Sequence, residues 1–247
     1  MKTVLITGAS RGIGAATALA CARQGHAVAV NFTRDAAAAD AVVQAARALG
    51  VPALALQADV ADEAQVLAMF ARIDTQMPPL GGLVNNAGVV DVAARLDAMT
   101  MARWQRLFAV NVFGSFLCAR EAVMRMSTRH GHAGGAIVNL SSAAARLGSP
   151  GTYVDYAASK AAIDTFTLGL AREVAAEGIR VNAVRPGIIE TDIQASGGES
   201  DRANQMAPMV PMQRAGTALE VAQAIAWLMT DESSYCTGTI IDVAGGR

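Results

Sequence analysis

Near its start the chain runs Thr3-Val4-Leu5-Ile6-Thr7 and then breaks into Gly8-Ala9-Ser10-Arg11-Gly12-Ile13-Gly14 before a helical pattern resumes from Ala15 to about Gln24. No other stretch limits the fold as much. A short β-branched run reads as a buried strand. A glycine turn opening directly onto a helix lets backbone N–H groups, at the positive end of the helix dipole, approach a phosphate. The spacing is Gly-x-x-x-Gly-x-Gly rather than the common dinucleotide Gly-x-Gly-x-x-Gly.

Strands and helices then alternate. Strands are expected at Ala27 to Phe32, Pro52 to Gln57, Gly82 to Asn85, Ala136 to Leu140, Arg180 to Val184 and Thr239 to Val243. Helices fill the gaps: an Ala-rich one ending near Leu49 before Gly50, then Asp62 to Thr75, a long one from Thr100 to Thr128, one ending near Ala176, and Ala218 to Met229. This alternation implies crossover units around a parallel sheet covered on both faces, a doubly wound α/β fold. Gly8–Gly14, Asn85–Gly88, Ser141/Ser142 and Arg185–Thr191 each follow an expected strand. In such sheets ligands bind beyond the carboxyl ends of the strands, so these pieces converge on one rim.

Tyr156 and Lys160, four residues apart, share one helix face. A free phenol titrates at about 10. A cation held against it favours the phenolate, which the sequence pattern predicts for Tyr156. At the end of the second strand stand Asn31, Arg34 and Asp35. An acid there would suit a ribose 2′-hydroxyl and a base a 2′-phosphate. Asp35 suits an N-cap for the next helix. Arg34 and Arg11 are therefore read as phosphate ligands, with Asn31 beside them, which favours NADP over NAD.

Composition narrows the field. A net charge of −1 gives no footprint for nucleic acid or an anionic membrane. Cys21, Cys118 and Cys236 are odd in number and far apart, which fits a reducing, cytoplasmic setting. His130-Gly131-His132 lacks partners for a metal. No Gly-x-Ser-x-Gly elbow supports a serine hydrolase.

Thr7-Gly8-x-x-x-Gly12-x-Gly14, Asn85-Asn86-Ala87-Gly88, Asn111, Ser142, Tyr156-x-x-x-Lys160 and Pro186-Gly187 together resemble the classical short-chain dehydrogenase/reductases, among them 3-oxoacyl-ACP reductase-like and glucose dehydrogenase-like enzymes. The resemblance implies one NAD(P)-binding Rossmann-type domain over residues 1–247, with a substrate lid at about 191–215. It implies that Gly8, Ser10, Arg11, Gly12, Ile13 and Gly14 line the cofactor phosphates and adenosine ribose, and that Asp59 accepts from the adenine amino group with Val60 beside it. Asn86, Ala87 and Gly88 would run along the adenosine and ribose. Pro186, Gly187, Ile189 and Thr191 would fix the carboxamide face. Ser142 would hydrogen-bond the substrate carbonyl, with Ser141 the alternative. Tyr156 would deliver the proton, Lys160 would lower its pKa and grip the ribose, and Asn111 would hold a water that relays protons. A homotetramer is implied as well, through Ala157, Ala158, Ala161, Ala162 and the Gly238–Gly246 tail.

The expected activity is hydride transfer between NADP(H) and a carbonyl or secondary alcohol, on a mostly apolar substrate contacted by Ala143–Val154 and Asp192–Arg214. Met206, Met209 and Met212 would make the lid apolar, and Ser196–Ser200 would serve as its hinge. An NAD-linked alcohol or sugar dehydrogenase, and a non-catalytic dinucleotide sensor, are the competing readings.

Overall fold

The computed structural model describes residues 1–191 and 202–247. A seven-stranded parallel sheet runs in the order β3-β2-β1-β4-β5-β6-β9. Its strands are β1 (Thr3–Ile6), β2 (Ala27–Phe32), β3 (Ala53–Gln57), β4 (Leu80–Asn85), β5 (Gly135–Leu140), β6 (Ile179–Pro186) and β9 (Ile240–Val243). Alternate side chains serve opposite faces. Val4, Ile6, Val28, Val30, Val84 and Val138 meet α1 (Gly12–Arg23), α2 (Ala36–Ala48) and α9 (Ala218–Leu228). Leu5, Ala29, Leu83, Ile137 and Val181 meet α3 (Glu63–Gln76), α5 (Gly114–Met126) and α7 (Val154–Val174). Burial of each Val, Leu or Ile side chain among them contributes about 1.5–3 kcal/mol. The order of connection reverses between β1 and β4, which opens a crevice at their carboxyl ends.

Helix starts follow side-chain chemistry. Asp35 accepts from Ala38 N and Asp62 from Gln65 N, and Thr217 with Glu220 closes a capping box. At the opposite rim, Arg180 donates to the carbonyls of Leu228 and Thr230, holding the end of α9.

Three features depart from the sequence-based expectation. The first helix begins at Gly12, inside the glycine loop, rather than at Ala15. The long helix is α4 (Met101–Phe108) and α5 joined by a π-helical turn, Ala109–Phe113. Although Met101–Met126 is long and apolar enough to cross a membrane, half of it lies inside the protein. The segment after β6 also gains a short parallel pair, β7 (Ile189–Glu190) with β8 (Gly216–Thr217). A further short helix, α6 (Ala144–Leu147), follows β5.

The hinge expected at Ser196–Ser200 lies outside the described residues. Downstream, α8 (Arg202–Met206) leads to Val210, which is buried, and Met212 N donates to Gly245 O at 3.1 Å. Met209 and Met212 are exposed.

Candidate active site

The crevice is closed by the hydroxyl of Thr7, which accepts from Asn86 N (3.0 Å) and Ala87 N (2.9 Å). Asn86 Nδ2 returns to Thr7 O and Gly8 O, so its side chain fastens β4 to the glycine loop. Gly8 and Gly12 have φ of +61° and +57°, a region that favours glycine. A methyl on Gly14 would lie 2.5 Å from Asn86 Nδ2 and 2.6 Å from Gly8 O. Gly12 is open on its outer side, and its nearest neighbour is Thr191 at 3.7 Å from a built Cβ. Arg11, the N-cap of α1, makes no side-chain cap, and the first turn carries no acid. A phosphate fits this uncapped helix end above an open glycine. Ser10 and Ile13 flank it, half-buried.

The other proposed cofactor positions divide by what their side chains already hold. Asn31 is buried. Its Oδ1 accepts from Gly8 N (3.1 Å), and its Nδ2 donates to Leu56 O and Ala58 O. It braces the loop from behind, and its side chain is not turned outward as a ligand. The side chain of Val60 packs against Gly114, and that of Ile189 is buried against Gly216. Only their backbones are left for the rim. Asp59 is exposed and accepts from Ala61 N. Arg11 and Arg34 are both exposed beyond the loop. Pro186 O accepts from Ala143 N, Gly187 lies against Ala244, and Thr191 stands opposite Gly12.

The chemical residues meet where β5 ends and α7 begins. Ser142 lies beside the Tyr156 hydroxyl, where it favours the phenolate, and accepts from Ala144 N. Ser141 instead donates to Lys160 O at 3.1 Å, deep in the protein. The two serines are thus separated by geometry, with Ser142 beside the phenol. Lys160 Nζ donates to Leu140 O at 2.7 Å. A Cβ built on Gly88 would lie 3.5 Å from both Lys160 Nζ and Asn111 Oδ1, so these three groups are neighbours. The Asn111 amide is engaged by the protein itself. It exchanges two hydrogen bonds with the backbone of Val89 and donates to Ser159 Oγ, which donates to Tyr156 O.

Burial governs the titrations here. It pushes the Tyr156 phenol above its ordinary value, with the Ser142 hydrogen bond pulling the other way. Burial also lowers Lys160 to about 8, against an upward pull from Asp164. The expected depression of the tyrosine by its lysine is not found, because Lys160 points at a carbonyl and desolvation of the phenolate dominates.

A family model described as enoyl-(acyl carrier protein) reductase matches residues 8–247. An uncharacterized oxidoreductase of Escherichia coli, YgfF, is 55% identical over the whole of both chains. The 3-oxoacyl-[acyl-carrier-protein] reductase FabG of Staphylococcus aureus is 39% identical over 99% of this chain and 97% of its own. The chain belongs to the short-chain dehydrogenase/reductase family. As a short-chain dehydrogenase/reductase it is an oxidoreductase. A short-chain dehydrogenase of Burkholderia cenocepacia, solved in complex with NADP, superposes with a TM-score of 0.90 at 36% identity, covering 99% of this chain and 97% of that one.

Two residues of this short-chain dehydrogenase/reductase have positioning roles that its sequence does not announce, although Thr7 heads the glycine motif. Thr7 is the hydroxyl clamp of the crevice, and Ser159 ties Asn111 to the Tyr156 turn. A β-branched hydroxyl just ahead of the first glycine, and a serine between the tyrosine and lysine, were the signals available.

Proposed function

We propose that this protein is an NADP(H)-dependent oxidoreductase that moves a hydride between the nicotinamide and a carbonyl or secondary alcohol, in the cytoplasm. The observation that carries the reading is the meeting of Ser142, Tyr156 and Lys160 at the same rim as the uncapped glycine loop. When bound, the cofactor supplies or accepts the hydride. Gly8, Gly12 and Gly14 with the start of α1 would hold its pyrophosphate, Asn86–Gly88 would follow the adenosine and ribose, and Pro186–Thr191 would meet the carboxamide. Arg11 and Arg34 would take the 2′-phosphate. Their exposure beyond the loop, and the NADP found in the Burkholderia cenocepacia relative, support NADP over NAD.

The chain's own residues handle the proton. Ser142 donates to the substrate oxygen and orients it against Tyr156. Tyr156 holds its proton firmly before substrate arrives, which suits a general acid for carbonyl reduction. Lys160 carries its charge below about pH 8 and is placed to stabilise the phenolate left after transfer. Asn111 keeps the Gly88–Lys160 corner in shape. The relatives named as 3-oxoacyl reductases, and the exposed Leu147, Met209 and Met212 near the rim, favour an apolar acyl carbonyl. A homotetramer is part of this reading. Phe113, Phe116, Met124 and Leu168 are exposed on α5 and its neighbours, and the edge strand β9 is half-covered.

The test is NADPH oxidation with a β-ketoacyl thioester and a panel of ketones and aldehydes. Turnover by the wild type that Tyr156→Phe abolishes supports the proposal. Equal inertness of both, with tight NADPH binding, favours a dinucleotide sensor. Equal or reversed affinities for NADP and NAD would instead favour the NAD-linked dehydrogenase, and a monomer in light scattering would remove the tetramer.

A further inference from the structure

Asp155 directly precedes Tyr156 and is buried, as is Arg103, which belongs to α4. Arg103 Nε donates to Asp155 Oδ2 at 2.7 Å and Nη2 donates to Oδ1 at 3.1 Å, a bidentate pair. Asp155 Oδ1 also accepts from Tyr156 N at 2.9 Å. The third guanidinium nitrogen, Nη1, donates to Val92 O at 2.6 Å, and nearby Ala94 N donates to Thr152 O. One guanidinium thus joins α4, the loop leaving β4 and the first turn of α7.

Stability alone is a poor reason for such a pair. Two charges taken out of water gain little over well-packed apolar side chains. Its place tells more. A lone carboxylate one residue from the phenol would disfavour the phenolate, and a lone guanidinium would favour it. The charged and titratable groups that the structure places around this turn are Tyr153, Asp155, Lys160 and Asp164 on or just before α7, Arg103 and Arg106 on α4, and Asp91, the partner of Arg106, with Ser142 on the phenol itself. Arg103 is held firmly charged, chiefly by its hydrogen bond to Asp155.

We propose that Arg103 and Asp155 are positioning residues that act together on Tyr156. Asp155 fixes its backbone amide, and Arg103 cancels the carboxylate's field so that the phenol ionises where its burial and Ser142 set it. The proposal rests on the reading of Tyr156 as the proton-transferring group.

The test needs neither substrate nor cofactor. The chain has three tyrosines, so protein labelled with ¹³Cζ-tyrosine gives three resonances to titrate, and Tyr156→Phe assigns one of them. In Asp155→Asn the unpaired guanidinium should lower the pH at which Tyr156 ionises by about one unit, and in Arg103→Met the unpaired carboxylate should raise it by about one unit. The double variant should return close to wild type. Arg103→Lys, which keeps the charge but loses the fork, should leave the titration in place while lowering Tm.

A wild-type titration of Tyr156 in both single variants overturns the proposal and leaves the pair a packing device. Should Arg103→Met fail to fold, Asp155→Asn decides alone, since an unshifted or raised titration there has the same consequence. The enzymatic reading fails separately, through absence of turnover in the wild type with every carbonyl tried.

Discussion

Lys160 Nζ stands 5.8 Å from the centroid of the Tyr156 ring while donating to Leu140 O. The ammonium therefore approaches the phenol from its face, held by a backbone carbonyl at the end of β5. The two groups are close enough to share a field, yet each is shifted mainly by its own loss of water.

Lys160 should leave a mark on stability against pH. Its ordinary value of 10.5 falls to about 8 on folding, so between those values the unfolded chain binds a proton that the folded chain does not. Stability from this group therefore rises with pH across that window, by about 3 kcal/mol in all. Below pH 8 both states are protonated and the burial cost is felt in full. Denaturation of wild type and Lys160→Met, compared from pH 7 to 10.5, should show the wild type gaining on the variant. A constant difference would mean that Lys160 is not desolvated as described. The comparison cancels Cys21 and Cys118, which burial pushes up to about 12 in both proteins.

Tyr156→Phe should reduce turnover by about 10²–10⁴-fold, the range for removing a general acid, with NADPH binding retained. Ser142→Ala should also cut turnover while leaving Tm close to wild type. Ser141→Ala removes a buried hydroxyl bonded to Lys160 O and should lower Tm first. Turnover and melting curves of the three variants check the order.

Gly14→Ala places a methyl against Asn86 Nδ2 and Gly8 O, which are backbone-anchored and cannot retreat cheaply. It should destabilise by about 1–3 kcal/mol and abolish dinucleotide binding. Gly25→Ala meets no atom within 4 Å but has φ of +83°. It should cost about 1–2 kcal/mol from strain alone and leave binding untouched. Urea titrations paired with NADPH fluorescence separate the two.

Asn31→Ala should lose about 1–3 kcal/mol, because Gly8 N, Leu56 O and Ala58 O lose their partner. Cofactor affinity should fall as well, since the glycine loop loses its brace. Unchanged affinity in a folded variant would show that Gly8 holds its place without it.

Most of the sheet was legible from sequence because each strand is a short apolar run with a turn behind it. Ala27–Phe32 and Ala53–Gln57 are each followed by a helix whose cap, Asp35 or Asp62, announces itself. The π-turn at Ala109–Phe113 was not legible. Its five residues, Ala-Val-Asn-Val-Phe, carry no glycine or proline and fit a plain helix. Nor was the pair β7 and β8, two residues each and 27 apart in the chain by their register. At the site, residue identities could be read but commitments could not. Nothing local tells that Asn31 faces inward, or that Arg103 finds Asp155 across 52 positions. The sign of the Tyr156 shift also escaped, since spacing to Lys160 reports attraction and says nothing of burial.

The π-turn also makes the long helix a ratchet. One residue in an α-helix is about 100° of rotation. Winding Ala109–Phe113 into regular α-helix with all five residues kept would swing the whole of α5 with it. Cys118, Ala119, Ala122 and Met126 would leave the interior together. Such a surplus residue is simple to retain and has no gradual way out.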